Sequence, residues 1–161
     1  MTLLNREETA RRATEARDVG NIVVFTNGCF DLLHSGHVTL LEVAAGEGDL
    51  LIVGLNSDSS VRRLKGEGRP VQPEAERAEA LLEIEAVNVV TIFSEDTPLE
   101  LIDSIKPDVL VKGGDYSSDE IVGADIVLSR GGEVVRVPLL EGISTTRIIK
   151  ERVGKGNTKR T

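Results

Sequence analysis

Short apolar runs alternate along most of the chain with longer segments in which apolar residues recur at helical spacing. Five of the runs are rich in β-branched residues and too short for helices, which predicts buried strands. These predicted strands are residues 22–26, 50–55, 87–93, 109–111 and 133–137. The segments between them predict helices over residues 3–18, 35–45, 59–64, 73–84, 98–105, 119–129 and 144–153.

Strands that alternate with helices indicate a parallel sheet of βαβ units with right-handed crossovers. The predicted fold class is therefore α/β, a Rossmann-like three-layer sandwich with a mostly parallel five-stranded sheet. We expect a peripheral N-terminal helix in residues 1–20, one domain in 21–153 and a flexible tail in 154–161.

Composition fits this fold and restricts the partners. The 161 residues suit one domain, and an aromatic content of 2% leaves the core to Val, Leu, Ile and Ala. A net charge of −8 repels nucleic-acid backbones, so we expect no nucleic-acid partner. The single cysteine, Cys29, fits a reducing compartment. No stretch approaches the roughly 18 apolar residues of a membrane span. We therefore expect a cytoplasmic protein without a membrane partner.

Four polar stretches, three of which contain glycine, follow predicted strands. They are residues 27–37, 56–58, 112–116 and 140–147. In open α/β sheets, ligands bind outside the carboxyl ends of the strands, where the strand order reverses. The four stretches should meet at that edge, which predicts a binding site there.

His34 and His37 are the only histidines and lie at a predicted strand-to-helix junction. They could simply cap the helix and face solvent. A metal site is a weaker alternative, because no Cys, His and carboxylate set with zinc spacing accompanies them. The third alternative is phosphate chemistry. A helix N-terminus offers free N–H groups, Gly36 lets backbone approach a ligand, and two imidazoles could donate hydrogen bonds to phosphate oxygens.

The residues around the histidines favour phosphate chemistry. Gly28-Cys29-Phe30-Asp31-Leu32-Leu33-His34-Ser35-Gly36-His37 resembles the GxFDxxHxGH signature of the cytidylyltransferase-like nucleotidyltransferases, in the strand-turn-helix context that the signature requires. Glu141-Gly142-Ile143-Ser144-Thr145-Thr146-Arg147 resembles the element with which these enzymes bind the nucleoside triphosphate. Alone, the second segment would indicate only a helix cap.

Two further segments narrow the resemblance. Residues 62–71 with Glu76-Arg77, and Val111-Lys112-Gly113-Gly114-Asp115-Tyr116, look like the adenylyltransferase domain of bacterial ADP-heptose synthases. Glycerol-3-phosphate cytidylyltransferases tend to carry an MGDDW-like segment at the second place. The resemblance runs over residues 22–153 and does not include a sugar-kinase half. Ile143 departs from it, because many heptose enzymes have Cys there and the glycerol enzymes have Ile.

The resemblance implies that a sugar 1-phosphate oxygen attacks the α-phosphorus of ATP and that pyrophosphate leaves, without a covalent enzyme intermediate. The implied acceptor is D-glycero-β-D-manno-heptose 1-phosphate, which gives ADP-heptose for lipopolysaccharide. Mg²⁺ is expected as cofactor, held mainly by substrate phosphates and water rather than by a set of protein ligands. A homodimer is expected on the same ground.

The resemblance also assigns roles to individual residues. The expected catalytic residues are His34, His37, Lys65 and Arg147. The expected nucleotide-binding residues are Asn27, Gly28, Cys29, Phe30, Gly36, Lys112, Gly113, Ser144, Thr145 and Thr146. The expected acceptor-binding residues are Asp31, Asn56, Asp58, Arg69 and Asp115.

Several of these residues have a purely structural alternative. Lys65 could be a solvated loop charge, Asp31 could cap the following turn, and Gly113-Gly114 could form a turn with positive φ. Cys29 is expected to be a small packed residue. Arg77 could pair with helix carboxylates or, as a weaker alternative, contact substrate.

Two other functions stay open at this point. One is glycerol-3-phosphate cytidylyltransferase or another transferase acting on a small phosphate. The other is a non-catalytic nucleotide-binding module, which the intact His34, His37 and Arg147 disfavour. An NAD-dependent enzyme is disfavoured because no G-x-G-x-x-G follows the first predicted strand.

Overall fold

A computed structural model describes residues 1–114 and 121–137, and the backbone of residues 151–153. Its strands are β1 (Thr2–Leu3), β2 (Val23–Gly28), β3 (Leu50–Asn56), β4 (Val89–Phe93), β5 (Val109–Gly113), β6 (Glu133–Val137) and β7 (Glu151–Val153). Its helices are α1 (Arg6–Asp18), α2 (Ser35–Ala45), α3 (Asp58–Lys65), α4 (Glu74–Leu82), α5 (Leu99–Ile105) and α6 (Ala124–Ser129).

The described strands form one sheet in the order β1-β4-β3-β2-β5-β6-β7. Strands β1 to β6 are parallel, and β7 pairs antiparallel with β6. The chain runs outward from β2 through β3 to β4 and then returns to the other side of β2 as β5. The strand order therefore reverses between β2 and β5, which is where a crevice opens in sheets of this kind.

The predicted α/β Rossmann-like class is confirmed, and a strand occurs at each of the five predicted places. The number of strands was wrong, because β1 and β7 are edge pairings too short to show a periodic pattern. The helix predicted from residue 3 begins at Arg6, since Asn5 and Glu8 form a capping box there. The helix predicted over 144–153 does not include 151–153, which are β7, and its other residues lie outside the described ones.

Apolar side chains fill both faces of the sheet. On one face Leu41 of α2 and Leu81 of α4 pack in a cluster with Val53 of β3. On the other face Ile102 of α5 packs in a cluster with Phe25 of β2. Helix α1 lies in this second layer against α5 and β4. Among the described residues, no helix has the length and apolar character to cross a membrane.

Two fully buried threonines differ in their hydrogen bonding. Thr9 Oγ1 on α1 donates to the Asn5 carbonyl oxygen at 2.7 Å. Thr91 Oγ1 on β4 has no hydrogen-bond partner among the described residues. A buried hydroxyl without a partner loses its hydration and gains nothing in return.

We predict that Thr91→Val raises the free energy of unfolding by about 1 kcal/mol, because a methyl group replaces an unpaired buried hydroxyl of similar shape. Thr9→Val is the matched control and should lower this free energy, because it removes a bonded hydroxyl at an equally buried position. Urea unfolding at neutral pH measures both. A destabilised Thr91→Val would contradict the prediction.

Candidate active site

A cavity of about 670 Å³ opens at the carboxyl ends of the central strands. Residues from the ends of β2, β3 and β5, the start of α2, the last turn of α3 and the segment after β4 line it. The predicted site residues on its walls are Asn27, Gly28, Cys29, Phe30, Asp31, His34, His37, Asn56, Lys65, Lys112 and Gly113. The structure thus brings together predicted site residues that lie far apart in sequence, since Asn27 and Gly113 are 86 positions apart.

Other predicted site residues lie elsewhere. Asp58 and Arg69 do not line this cavity but a separate one of about 310 Å³. Gly36 lies just behind the cavity wall, and a Cβ there would be 2.9 Å from Cε1 of His34, so only glycine lets that ring pack closely. Arg147, Ser144, Thr145, Thr146 and Asp115 lie outside the described residues.

Several residues of the cavity wall were not predicted from the sequence. These are Leu40, Leu64, Asp96, Thr97, Pro98, Leu110, Ile121 and Val122. Asp96 and Thr97 come shortly after a strand, so the same strand-end rule would have found them. The apolar residues show no such signal, because their sequence pattern is that of ordinary core positions. One alternative for Gly113-Gly114 was a turn with positive φ. Gly114 has a φ of 101°, whereas Gly113 is the last residue of β5 and packs against Leu40.

The two histidines cap their own helix. His34 is the N-cap residue of α2, and its Nδ1 accepts a hydrogen bond from the Gly36 N–H at 3.1 Å. Nδ1 of His37 accepts from the His34 N–H at 3.2 Å, and the two rings stack with centroids 3.8 Å apart. Because each Nδ1 is an acceptor, each neutral ring carries its proton on Nε2. Capping and phosphate binding are therefore compatible, since they use different nitrogens.

His37 is uncharged at neutral pH. Burial is the main cause that lowers its pKa from 6.5 to about 4, and the charges of His34 and Lys65 add to the effect. Lys65 and His37 line the same cavity. Burial also lowers the pKa of the Lys112 ammonium, while nearby Cys29 raises it. Cations and neutral N–H donors thus share one cavity, as binding of phosphate oxygens requires.

The Asp31 carboxylate holds a neighbouring loop. Its oxygens accept hydrogen bonds from the N–H groups of Val71 at 2.8 Å and Gln72 at 3.0 Å, and Arg69 Nη1 lies 3.4 Å away. Its side chain is 3% exposed. Burial raises the pKa of this carboxyl, but the two backbone hydrogen bonds and Arg69 together outweigh it and leave the pKa below its usual value. The structure thus gives Asp31 an anchoring contact that neither sequence alternative included.

The turn around Asp31 has an unusual backbone. Phe30 and Leu32, on either side, have φ of 47° and 59°, in the left-handed region that non-glycine residues rarely adopt. The Leu32 N–H donates to Gln72 Oε1 at 3.3 Å. Contacts with residues 69–72 therefore hold this turn in the conformation that leads into the histidines.

Arg77 on α4 is the central support of the site. Its side chain is fully buried. It donates hydrogen bonds to the turn after β2, to the end of β3 and to the loop before α4. The acceptors are the carbonyl oxygens of Cys29 and Asn56, each at 2.8 Å, that of Gln72 at 2.9 Å, and Asp58 Oδ1 at 2.7 Å. The expected pairing with a helix carboxylate is present, since Asp58 begins α3. That carboxylate is thereby engaged inside the protein.

Comparison with known proteins identifies relatives of this chain. It matches the model of the family described as cytidylyltransferase-like over residues 25–151. It is 54% identical over 160 residues to the bifunctional protein HldE of Nitrobacter winogradskyi, a match that covers 95% of this chain and 33% of that protein. It is 60% identical over 135 residues to the HldE of one strain of Rhodopseudomonas palustris, covering 84% of this chain and 28% of that protein. The chain therefore spans about a third or less of the length of these curated relatives.

Solved structures agree on the fold. A lipopolysaccharide core biosynthesis protein from Thermoplasma volcanium aligns with a TM-score of 0.60 and 27% identity, over 75% of this chain and 98% of that one. A pantothenate synthetase from Thermus thermophilus aligns with a TM-score of 0.57 and 18% identity, over 90% of this chain and 66% of that one. The second similarity concerns the fold alone.

We predict that Arg77→Met lowers the free energy of unfolding by roughly 3–5 kcal/mol, because it leaves a carboxylate and three carbonyl oxygens without their buried donor. Arg17→Met is the control, since the partly exposed Arg17 also donates to two carbonyl oxygens, those of Ile105 and Lys106. That change should cost about 1 kcal/mol or less. Equal losses in urea unfolding would show that Arg77 has no special structural role.

We predict that the His37 imidazole titrates near pH 4 and is the Nε2–H tautomer above that pH. The nitrogen-15 chemical shifts of the rings measure both, and His34→Gln and His37→Gln assign the signals of the two histidines. A midpoint near 6.5 would contradict the effect of burial, and a proton on Nδ1 would contradict the hydrogen bonds at the start of α2.

The same shift affects stability. Between pH 6.5 and about 4 the unfolded chain takes up a proton at His37 and the folded protein does not, so folding becomes less favourable as the pH falls. Above pH 6.5 the His37 ring is neutral in both the folded and the unfolded chain. Its protonation therefore does not reduce the free energy of unfolding there. His37→Gln should therefore lose less stability than the unaltered protein between pH 7 and 4.5, as measured by urea unfolding.

Proposed function

Since the chain belongs to the cytidylyltransferase-like family and is a nucleotidyltransferase, we propose that it transfers AMP from ATP to D-glycero-β-D-manno-heptose 1-phosphate. The products are ADP-heptose and pyrophosphate. The observation that carries the transfer chemistry is the pair of imidazoles, each with Nδ1 occupied by backbone and Nε2–H left for a ligand. The choice of acceptor rests on the segment Val111 to Tyr116, which resembles that of ADP-heptose synthases. One structural neighbour is a lipopolysaccharide core biosynthesis protein, which supports the same choice.

The cavity wall mixes apolar and polar residues, in different proportions along the sheet. On the side of β5 it includes the apolar residue Leu110 and the cation Lys112. On the side of β3 and β4 it includes the polar residues Asn56, Asp96 and Thr97 together with two apolar residues. The histidines follow β2, which lies between these strands in the sheet. We assign the polyhydroxylated acceptor to the side of β3 and β4, called the polar side for its three residues that can bond hydroxyls, and the nucleotide base to the side of β5.

In the proposed reaction, an oxygen of the acceptor phosphate forms a bond to the α-phosphorus of ATP. The bond from that phosphorus to the oxygen bridging to the β-phosphate breaks, and pyrophosphate leaves. Two anions must approach each other, so Lys65 and Lys112 lower their repulsion. His34 and His37 donate hydrogen bonds from Nε2 to the α-phosphate oxygens, whose charge increases at the pentavalent stage. The protein acts by positioning and by charge stabilisation.

We further propose that Ser144, Thr145, Thr146 and Arg147 contact the β- and γ-phosphates. Mg²⁺ would be held by phosphate oxygens and water and would neutralise the leaving pyrophosphate. A homodimer, a cytoplasmic location and the lack of nucleic-acid binding stay predictions.

Pyrophosphate release by the purified chain tests the proposal, with ATP or CTP as donor and heptose 1-phosphate or glycerol 3-phosphate as acceptor. We expect turnover with ATP and heptose 1-phosphate, and none without Mg²⁺. Turnover with CTP and glycerol 3-phosphate alone would favour the second candidate, glycerol-3-phosphate cytidylyltransferase, with which Ile143 agrees.

We predict that His34→Ala and His37→Ala each lower kcat by about 100-fold or more, because each removes a hydrogen-bond donor to the α-phosphate. Thr39→Ala on the same helix is the control, since that hydroxyl donates only within α2, to the Ser35 carbonyl oxygen. The pyrophosphate assay measures all three. Unchanged kcat in both histidine variants would favour a non-catalytic nucleotide-binding module.

A further inference from the structure

The segment that follows β4 forms part of the cavity wall. Asp96, Thr97 and Pro98 line the cavity together with Leu64 and Lys65 from the last turn of α3. β4 lies next to β3, on the side of the sheet away from β5. The segment therefore belongs to the polar side of the cavity, which the proposed function assigns to the acceptor.

Two neighbouring acidic residues of this segment make ion pairs with different helices. Glu95 Oε1 lies 2.6 Å from Arg6 Nη2 of α1. Asp96 Oδ1 lies 2.8 Å from Arg63 Nε of α3, and Arg63 Nη2 also donates to the Ser94 carbonyl oxygen. Asp96 lines the cavity and Glu95 does not. Both residues thus lie in the same segment and form an ion pair with an arginine, but only Asp96 is accessible to a ligand in the cavity.

Arg63 holds the Asp96 carboxylate in place and leaves it accessible. One planar guanidinium bonds both the backbone and the carboxylate of the segment, which fixes the segment to α3. The ion pair uses Oδ1, and among the described residues no hydrogen bond reaches Oδ2 of Asp96. The Asp96 side chain is 67% exposed despite the pairing. A carboxylate held in this way accepts hydrogen bonds at low entropic cost.

The charge of Asp96 decides which ligand group it binds. A carboxylate repels phosphate oxygens, so it is unsuited to the triphosphate. Sugar hydroxyls are hydrogen-bond donors, and a carboxylate oxygen is their strong acceptor. A site built to bond a hydroxyl also rejects analogues that lack it, because its polar group is then left unpaired.

We propose that Asp96 binds hydroxyl groups of the acceptor and thereby selects polyhydroxylated acceptors over smaller phosphates, with Arg63 as its positioning residue. This inference rests on the proposed function. It assigns the specificity to a segment outside both signature motifs.

The test compares Asp96→Ala with Glu95→Ala in the pyrophosphate assay. Asp96→Ala should raise the KM for heptose 1-phosphate by about tenfold or more, the usual effect of losing a hydrogen bond to a charged group. The KM for ATP should stay the same, because the proposed function assigns the nucleotide base to the opposite side of the cavity. Glu95→Ala breaks an ion pair of the same segment outside the cavity, and neither KM should change by more than about twofold.

Two further measurements separate specificity from general damage. Asp96→Ala should lower the ratio of kcat/KM for heptose 1-phosphate to kcat/KM for a deoxy analogue that lacks one hydroxyl. Arg63→Lys keeps the charge but cannot bond Ser94 and Asp96 with one planar group, so it should raise only the acceptor KM, and by less than Asp96→Ala. Thermal unfolding of each variant checks that it folds.

The outcomes distinguish this inference from the proposed function. If the unaltered chain turns over heptose 1-phosphate and Asp96→Ala keeps its acceptor KM, the inference alone is wrong. An equal rise in both KM values, or the same effect in Glu95→Ala, also overturns it. If the unaltered chain does not use ATP with heptose 1-phosphate, the proposed function is wrong and the inference falls with it.

Discussion

The buried guanidinium of Arg77 is the interaction on which the geometry of the site depends. A buried charge is tolerated only when its donors are paired, and here they bond three backbone carbonyls and one carboxylate. These carbonyls belong to the turn after β2, the end of β3 and the loop before α4. One side chain thus sets the relative positions of three chain segments that have no regular hydrogen-bonding pattern in common.

The turn after β2 shows what this support makes possible. Its two left-handed non-glycine residues, Phe30 and Leu32, would be unfavourable in an isolated peptide. Arg77 holds the turn on one side through the Cys29 carbonyl, and Asp31 holds it on the other through Val71 and Gln72. The turn thereby places His34 at the N-cap of α2, where each imidazole uses one nitrogen for the helix and presents the other to the cavity.

The sequence predicts those features that local pattern determines. Apolar β-branched runs gave the central strands, and the spacing around His34 and His37 gave the junction of strand and helix at which the cavity opens. Features that depend on long-range contacts were missed. Asp31 bonds residues 40 and 41 positions away, and Asp96 pairs with Arg63 across 33 positions. β1 and β7 exist because a partner strand lies beside them, and two or three residues carry no periodicity.

Asp31 and Asp96 illustrate why residue type alone does not assign a role. Both are aspartates that follow a strand, and both line the cavity. The Asp31 side chain is 3% exposed and its oxygens bond the backbone of a loop, whereas that of Asp96 is 67% exposed and its ion pair uses one oxygen. A carboxylate that already accepts hydrogen bonds from a loop on both oxygens stabilises a conformation and has less capacity left for a ligand. The signature motif draws attention to Asp31, whereas the Asp96 carboxylate is the more accessible of the two. In a chain with a net charge of −8, an exposed carboxylate is ordinary. Its meaning here comes from Arg63, which fixes it at the polar side of the cavity.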